Sequence, residues 1–458
     1  MAMSAEIVIY TSSLIAAPPV SRTSPTQPVS DLAGQIHISL TPGGHPAVFI
    51  GSTRPLTAAR VFAGKPVATV TGQLPLLFSV CGTAQAVACA NACEAALGLA
   101  PAPSARRART LLLHAETAKE HLWRLLLDWP KALAPVLSVQ GTGDLPVQSN
   151  EREVAMATAM RAFLQLRSAL GTAGDPFLPG AGPVRPAADA VESACARLAP
   201  TAAELVFGAA PASWLAATAT AADLQHWAAG TPTLGAALVR WLTSSGLADL
   251  GRWNLGTLPG ALDGSDSALV EHLVPALAAA DGDAFIAAPT LDGVPAETTP
   301  FAREQGRGGL VADLASRYGN GLLPRLGALL AELARNAALL ASPAAASAPT
   351  GVALEAGAGS GLGAAPAARG LLLHRVVLAG GATPAEARAR DYRILAPTEW
   401  NFHPRGVVAA GLEQLMDGPL AAQSRPDRGA DAHATLKAVA RLLVTAVDPC
   451  VDYRLSVC

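Results

Sequence analysis

Ala396-Pro397-Thr398-Glu399-Trp400-Asn401-Phe402-His403-Pro404-Arg405-Gly406 brings a hydroxyl, a carboxylate, an indole, an amide, an imidazole and a guanidinium together in one short run. Charged residues make up 15% and aromatic residues 4% of this 458-residue chain, so a Trp in such a context carries more information than another Ala. Upstream, Gly370 to Leu378 and Asp391 to Leu395 read as strands, and Ala368-Arg369-Gly370 precedes the first of them, with His374 inside it. Downstream, Ala432 to Val447 reads as a helix with Leu436, Val439, Ala440, Leu443 and Val447 on one face. That helix is stopped by proline at Asp448-Pro449-Cys450.

The rest of the chain extends this picture. Residues up to about Ser30 read as irregular, with Pro18, Pro19, Pro25 and Pro28. Gln35 to Leu40 alternates, Pro42-Gly43-Gly44 turns and Ala47 to Ile50 returns, which predicts a β-hairpin. Helical patterns cover Thr83 to Leu99, Arg106 to Trp129, Glu151 to Leu170, Ala187 to Phe207, Ala210 to Ala229, Leu234 to Ser244, Ala268 to Ala279 and Gly308 to Leu340. In the second of these, Leu111, Ala115, Ala118, Leu122, Leu125 and Trp129 share a face, leaving Arg109, Glu116, Lys119 and Glu120 to be solvated. Ala341 to Ala368, a tract of Ala, Ser, Pro and Gly, reads as an exposed loop or as backbone passing a buried site. The prediction is a mainly α chain with short β-strands near both ends (α+β). It is organised as one unit over 1–458 with a flexible or loop segment around 341–368.

Composition excludes several classes. Hydrophobic residues at 51% rule out disorder throughout. Thirty-three Lys and Arg against thirty-five Asp and Glu give no support for a nucleic-acid surface. Six cysteines are too few for a disulfide scaffold. The start of the sequence lacks a basic signal region, and Leu322 to Leu340 is interrupted by Arg325, Glu332 and Arg335. The expectation is a cytoplasmic protein without membrane insertion, its thiols reduced.

The sequence has no HExxH helix, no P-loop and no GxSxG between strand and helix. Gly357-Ala358-Gly359-Ser360-Gly361 lacks the preceding strand of a dinucleotide loop. His114 and His121 read as ordinary packed or surface histidines, and Cys89, Cys93 and Cys195 as small buried residues. Cys81 stands where a helix begins, and the positive helix end would lower the pKa of its thiol. Either Cys81 or Cys450, taken alone, is as well explained by packing. Trp400 and Asn401 can brace a turn, His374 can be a core hydrogen-bonding residue, and Arg405 can pair with Glu399 or Asp417.

Taken in order, Ala368-Arg369-Gly370 with His374, the 396–406 run and Asp448-Pro449-Cys450 resemble the C-terminal third of nickel–iron hydrogenase large subunits. Cys81-Gly82 resembles the start of that family's N-terminal Cys-Gly-x-Cys motif. The Pro-Thr-Glu-Trp-Asn-Phe-His-Pro-Arg-Gly version is most similar to the HupK/HoxV branch, proteins of active-site assembly. The resemblance implies a degenerate hydrogenase large-subunit-like fold.

The resemblance also implies roles for individual residues. Cys81 and Cys450 match the first cysteines of two metal-binding pairs, while the second positions fall on Ala84 and Tyr453. Four soft ligands for nickel are therefore not available, so nickel and hydrogen turnover are not expected. Arg369 and Thr398 match the residues that hydrogen-bond the cyanides on iron, with His374, Trp400, Asn401 and Arg405 in support. The implied function is a scaffold, not an enzyme, that transiently carries Fe(CN)2(CO) through Cys81 and Cys450. The retained cysteines match the nickel-only positions, so how iron would be held stays open. The implied partners are the hydrogenase large-subunit precursor, a HypC-like chaperone and HypD-type iron-assembly proteins. With only Val451 to Cys458 after Cys450, no proteolytic trimming is expected. A metal-free protein that docks maturation factors is the alternative, and a redox enzyme with an altered metal site is a third reading.

Overall fold

The computed structural model describes residues 34–140, 145–253, 256–259, 267–343, 351–423 and 430–458. The proline-rich segment read as irregular lies outside these residues. Ile36, Ile38 and Leu40 are buried while His37 and Ser39 are half-buried, so the alternation seen in the sequence is the pleat of a strand. The strands are β1 (Ile36–Leu40), β2 (Val48–Ser52), β3 (Val352–Glu355), β4 (Ser360–Ala367), β5 (Gly370–Ala379), β6 (Arg388–Leu395) and β7 (Tyr453–Val457). They form two sheets, ordered β2-β1-β7 and β3-β4-β5-β6. In the first, β1 runs antiparallel to β2, as the hairpin reading requires, and parallel to β7, with Ile36 opposite Tyr453. In the second, every neighbouring pair is antiparallel.

Helices account for most of the rest. Those that position the site are α1 (Val67–Leu77), α2 (Gly82–Leu97), α3 (Pro103–Trp123), α4 (Trp129–Gln140), α5 (Ser149–Gly171), α6 (Leu322–Ala341), α7 (Pro397–Asn401), α8 (Val407–Met416) and α9 (Ala430–Val447). A π-helical turn, Arg124–Asp128, joins α3 to α4. Such a turn widens the helix by one residue and re-aims its side chains. Helix α3 packs on α5 and α6, α4 on α9, and α2 lies across β4 and β5. One buried apolar cluster includes residues from Ile36 to Leu455. Among the described residues, no helix is long and apolar enough to cross a membrane.

Two readings need correction. The described part of the 341–368 tract is not an exposed loop but largely buried backbone, the other alternative: its first residue ends α6, 352–355 and 360–367 are strands, and 344–350 lies outside the described residues. Two of its glycines, Gly361 and Gly363, serve packing. A Cβ on Gly361 would stand 2.0 Å from the Ala92 carbonyl oxygen, and one on Gly363 2.1 Å from that of Ala88. Strand β4 therefore rests directly on the alanine-rich face of α2, and small residues on both sides permit the contact. The second correction concerns α3. Arg109, Glu116, Lys119 and Glu120 are buried, because the helix is enclosed on all sides. Each charge has a partner: Arg109 pairs with Glu94 at 2.7 Å, and Lys119 with Glu120 at 2.5 Å. Two longer helical patterns also divide. Gly319, at φ 60°, separates Leu310–Tyr318 from α6, and Thr220 caps Ala221–Gly230 after the break at Thr218.

Candidate functional site

Cys81 is the residue from which α2 starts, and Cys450 is the third residue after the end of α9. The fold brings both to one pocket of about 120 Å³, shared with Arg54, Gln85, Ile394, Ala396 and Glu399. That volume is well above the ~10–15 Å³ that one water needs. Cys81 is buried and Cys450 half-buried. A larger cavity of about 920 Å³ beside α3 and α6 touches neither cysteine.

Cys450 is placed by its neighbours on both sides. Asp448 ends α9 in the left-handed conformation, φ 59°, which aspartate tolerates better than most residues. The Cys450 N–H donates to the Thr398 hydroxyl at 3.2 Å, and that hydroxyl lies 2.9 Å from the Cys450 sulfur. Thr398 sits in the first turn of α7, so the 396–406 run holds Cys450 directly. The resemblance casts Thr398 as a partner of the cargo's cyanide, whereas in this structure it engages Cys450.

Cys81 differs from the expectation. Its thiol is pushed up to about 12, first by burial, then by the neighbouring charges of Cys450 and Glu116, with Arg369 and Gln85 acting against them. The helix end does not lower it, because Glu116 occupies the first free amides of α2. One carboxylate oxygen accepts from Thr83 N–H at 2.8 Å, the other from Ala84 N–H at 3.0 Å. The donor that reaches the Cys81 sulfur is instead the Gln85 amide, at 3.6 Å.

Arg369 is fixed by its backbone and by its charge. Gly370 has φ +141°, and a Cβ there would collide with the Thr298 carbonyl at 1.7 Å, so only glycine fits after the arginine. Three consecutive carbonyls are held: Arg303 donates to Ala367 at 3.0 Å and to Ala368 at 3.4 Å, and Asn401 donates to Arg369 at 3.2 Å. Asn401 also accepts the Thr298 N–H at 2.9 Å. The guanidinium then pairs with Glu120 at 3.0 Å and with Asp448 at 2.5 Å. Arg124, turned inward on the π-helical turn, pairs with Asp448 as well. Burial works against the Arg369 charge, but Glu120, Cys450 and Cys81 outweigh it and raise its pKa.

The supporting residues divide. His374 is buried, with one ring nitrogen 2.8 Å from the Tyr392 hydroxyl and the other 2.8 Å from Gln85. Trp400 is fully buried and meets the edge of Phe285, a packing role. Arg405 is exposed, and its backbone N–H donates to His403. Its expected partner Glu399 pairs with Arg54 at 2.7 Å, because the carboxylate points into the pocket and Arg405 lies at the surface beyond it. His121 pairs with Glu332 and His114 meets Asn336, while Cys89, Cys93 and Cys195 are buried, in line with their packed reading.

Arg54 is the site residue that sequence reasoning missed. It is half-buried, hydrogen-bonds Cys450 and feels the charges of Cys450, Glu399 and Cys81, which together overcome the cost of desolvation and raise its pKa. Its only signal in the sequence is an arginine just after the hairpin's return strand. Gln85, one turn after Cys81, was missed in the same way. Among the described residues, no group of three or more His, Cys, Asp or Glu side chains is arranged to hold a metal ion. The pocket offers two sulfurs and the Arg54 guanidinium, and the Arg369 guanidinium, outside its lining, is close enough to feel both sulfurs. That donor set fits an anionic iron unit bringing its own carbon ligands: soft sulfur suits electron-rich Fe(II), and guanidinium N–H groups suit cyanide nitrogen.

No family model matches the chain. Several curated relatives do, three of which follow. It is 32% identical to "Hydrogenase expression/formation protein HoxV" of Cupriavidus necator, covering 91% of this chain and 94% of that one. It is 34% identical to a HupK of Bradyrhizobium diazoefficiens (88% and 90%), and 30% identical to a HupK of Azotobacter vinelandii (93% and 99%), both with the same expression/formation description. Among solved structures, an NAD+-reducing [NiFe]-hydrogenase matches with a TM-score of 0.53 at 16% identity, over 88% of this chain and 91% of that one. A Ni-Fe-Se hydrogenase from D. vulgaris Hildenborough matches with 0.52 at 14%, over 87% and 94%. The mainly helical, hydrogenase large-subunit-like fold expected from the sequence is thus the fold observed.

Proposed function

Because this chain belongs to the HoxV/HupK/HupV family of hydrogenase expression/formation proteins, we propose that it serves hydrogenase maturation as a scaffold. Its cargo is an Fe(CN)2(CO) unit on its way to a nickel–iron hydrogenase large subunit. The observation that carries this reading is the meeting of Cys81 and Cys450, far apart in sequence, in one pocket with Arg54 near at hand and Arg369 close enough to feel both sulfurs. Ferrous iron with two cyanides and two thiolates has a net charge of minus two. A buried charge of that size is costly unless cations face it; Arg54 and Arg369 are the cations nearest the sulfurs, and Lys119 and Arg124 share the carboxylates that pair with Arg369. The carbon ligands complete the coordination that two sulfurs begin.

Nickel has no corresponding place in this scheme. The positions of the second cysteines carry Ala84, buried in α2, and Tyr453, the first residue of β7. The function is therefore to hold and hand over, not to turn over hydrogen. Leu76, Leu77 and Val80, exposed at 72%, 56% and 43%, form an apolar rim, with Leu77 and Val80 lining the pocket itself. A cargo that enters and leaves needs a protein on each side of the transfer, and an exposed apolar rim suits such contacts. We assign it to a HypC-like chaperone or HypD-type iron-assembly protein as donor and to the large-subunit precursor as recipient.

Infrared spectra of the protein purified together with its maturation partners test this reading. Cyanide and carbonyl stretches are expected, and Cys81→Ser or Cys450→Ser should remove them. Wild-type protein with neither bands nor iron would overturn it. The apolar rim also favours a second reading, a metal-free protein that docks maturation factors. If a Cys81→Ala, Cys450→Ala variant still supports hydrogenase maturation, that second reading stands in place of the first.

A further inference from the structure

A chain of hydrogen bonds runs from the Cys81 sulfur into the protein. Gln85 Nε2 lies 3.6 Å from Cys81 Sγ, Gln85 Oε1 2.8 Å from His374 Nε2, and His374 Nδ1 2.8 Å from the Tyr392 hydroxyl. All four residues are buried. The chain can be polarised in only two ways, because a neutral imidazole has one donor and one acceptor nitrogen. Burial keeps His374 neutral, its pKa lowered to about 3. If Gln85 turns its oxygen to His374, Nε2 carries the proton, Nδ1 accepts from Tyr392, and an amide N–H faces the sulfur. If the amide is reversed, every donor reverses with it, and a carbonyl oxygen faces the sulfur.

The surroundings of Cys81 favour the first polarity. Glu116 has taken the Thr83 and Ala84 amides, the donors that a helix start would otherwise turn toward its first side chain. The sulfur is left to Gln85, whose Nε2 is the end turned toward it, and a carbonyl oxygen there would oppose the charge of a metal-bound thiolate. Gln85 lies on α2, His374 on β5 and Tyr392 on β6, so the polarity is set by the packing of α2 on the sheet.

We propose that His374 is a positioning residue for Cys81: its Nε2–H locks the Gln85 amide so that an N–H is presented to the sulfur, and iron bound there receives a hydrogen-bonded thiolate. The iron clause rests on the scaffold reading, whereas the polarity of the chain does not. A thiolate that accepts a hydrogen bond gives less electron density to its metal, and partners outside the ligands tune metal sites in this way. Less density on iron means less back-donation to carbon monoxide and a higher carbonyl stretching frequency.

Two measurements test the proposal. In the metal-free protein labelled with 15N-histidine, the His374 signals are identified by their loss in His374→Phe. Their shifts should show a protonated Nε2 and a bare Nδ1, and a protonated Nδ1 would overturn the proposal. In iron-loaded protein, Gln85→Leu and the milder, volume-conserving Tyr392→Phe should both lower the carbonyl frequency relative to wild type, Gln85→Leu by more. Unshifted bands in both would overturn the tuning role. A wild type without any such bands refutes the scaffold reading, while the imidazole measurement still decides the polarity.

Discussion

Replacing Arg54 with methionine keeps most of the side chain's bulk and removes the charge opposite Glu399. Glu399 is deeply buried, with one oxygen 2.7 Å from Arg54 and the other accepting the Ala396 N–H at 3.1 Å. Breaking a buried ion pair by removing one partner costs about 3–5 kcal/mol. Unfolding entropy of roughly 2.1 cal/mol/K per residue over this chain gives about 1 kcal/mol per degree, so Tm should fall by about 3–5 °C. The loss should depend on pH, and its sign follows from Glu399. Burial raises the pKa of this carboxyl, and the Arg54 charge is the main force holding it down. Without Arg54 the folded state keeps the proton at a pH where the unfolded chain has lost it. The stability of the variant should therefore decline as pH rises above about 4.3, the ordinary glutamate value. Calorimetric melting between pH 5 and 8 reads this directly. Arg54→Met with Glu399→Gln should recover most of the stability and flatten the pH dependence, since the amide can still accept from Ala396. A loss that is the same at every pH, or a double variant no better than the single, would refute the reasoning.

Gly363→Ala should destabilise by several kcal/mol or abolish soluble expression, because its Cβ would meet the Ala88 carbonyl at 2.1 Å, whereas Gly72→Ala, in open space on α1, should stabilise by about 0.5–1 kcal/mol. Chemical denaturation of the two variants checks the contrast. Thr398→Val should cost about 1–3 kcal/mol by leaving the Cys450 N–H without its acceptor, and should weaken iron retention in metal analysis of purified protein. His374, with a folded pKa of about 3 below its unfolded value, contributes stability that is present above pH ~6.5 and lost as pH falls toward 3. His374→Gln should make the acid limb of a denaturation series shallower by up to ~1.4 kcal/mol per pH unit.

The parts of this molecule that were legible in the sequence are those with local grammar. The hairpin, the Ala432 to Val447 helix, and the order of Arg369, Thr398 and Cys450 needed only periodicity, proline and motif. What stayed hidden was decided by distant partners. Glu116 and Glu120 read as solvated because i, i+4 patterning shows a polar face but not what covers it. Arg54 lacked any motif of its own, since its partners Glu399 and Cys450 come from the other end of the chain. The 360–367 strand was masked by composition: glycine and alanine signal loops in isolation, and here they mark a sheet lying directly on a helix. The expected lowering of the Cys81 pKa failed because a carboxylate from α3 reached the helix start first.

Strand β7 pairs with β1 across a sequence separation of 417 residues, and Cys450 stands just before it. Closing a loop of that length must wait until both ends exist, and contacts so non-local form slowly. On a translating ribosome, Arg54, β1 and Cys81 are made first and stay without Cys450 and β7 while all the residues between them are added. Half of the pocket is thus made long before the other half, and the two thiols can face one ligand only once Cys450 has been made. Any ligand that needs both sulfurs must therefore wait for the chain through Cys450, with no separate checkpoint required.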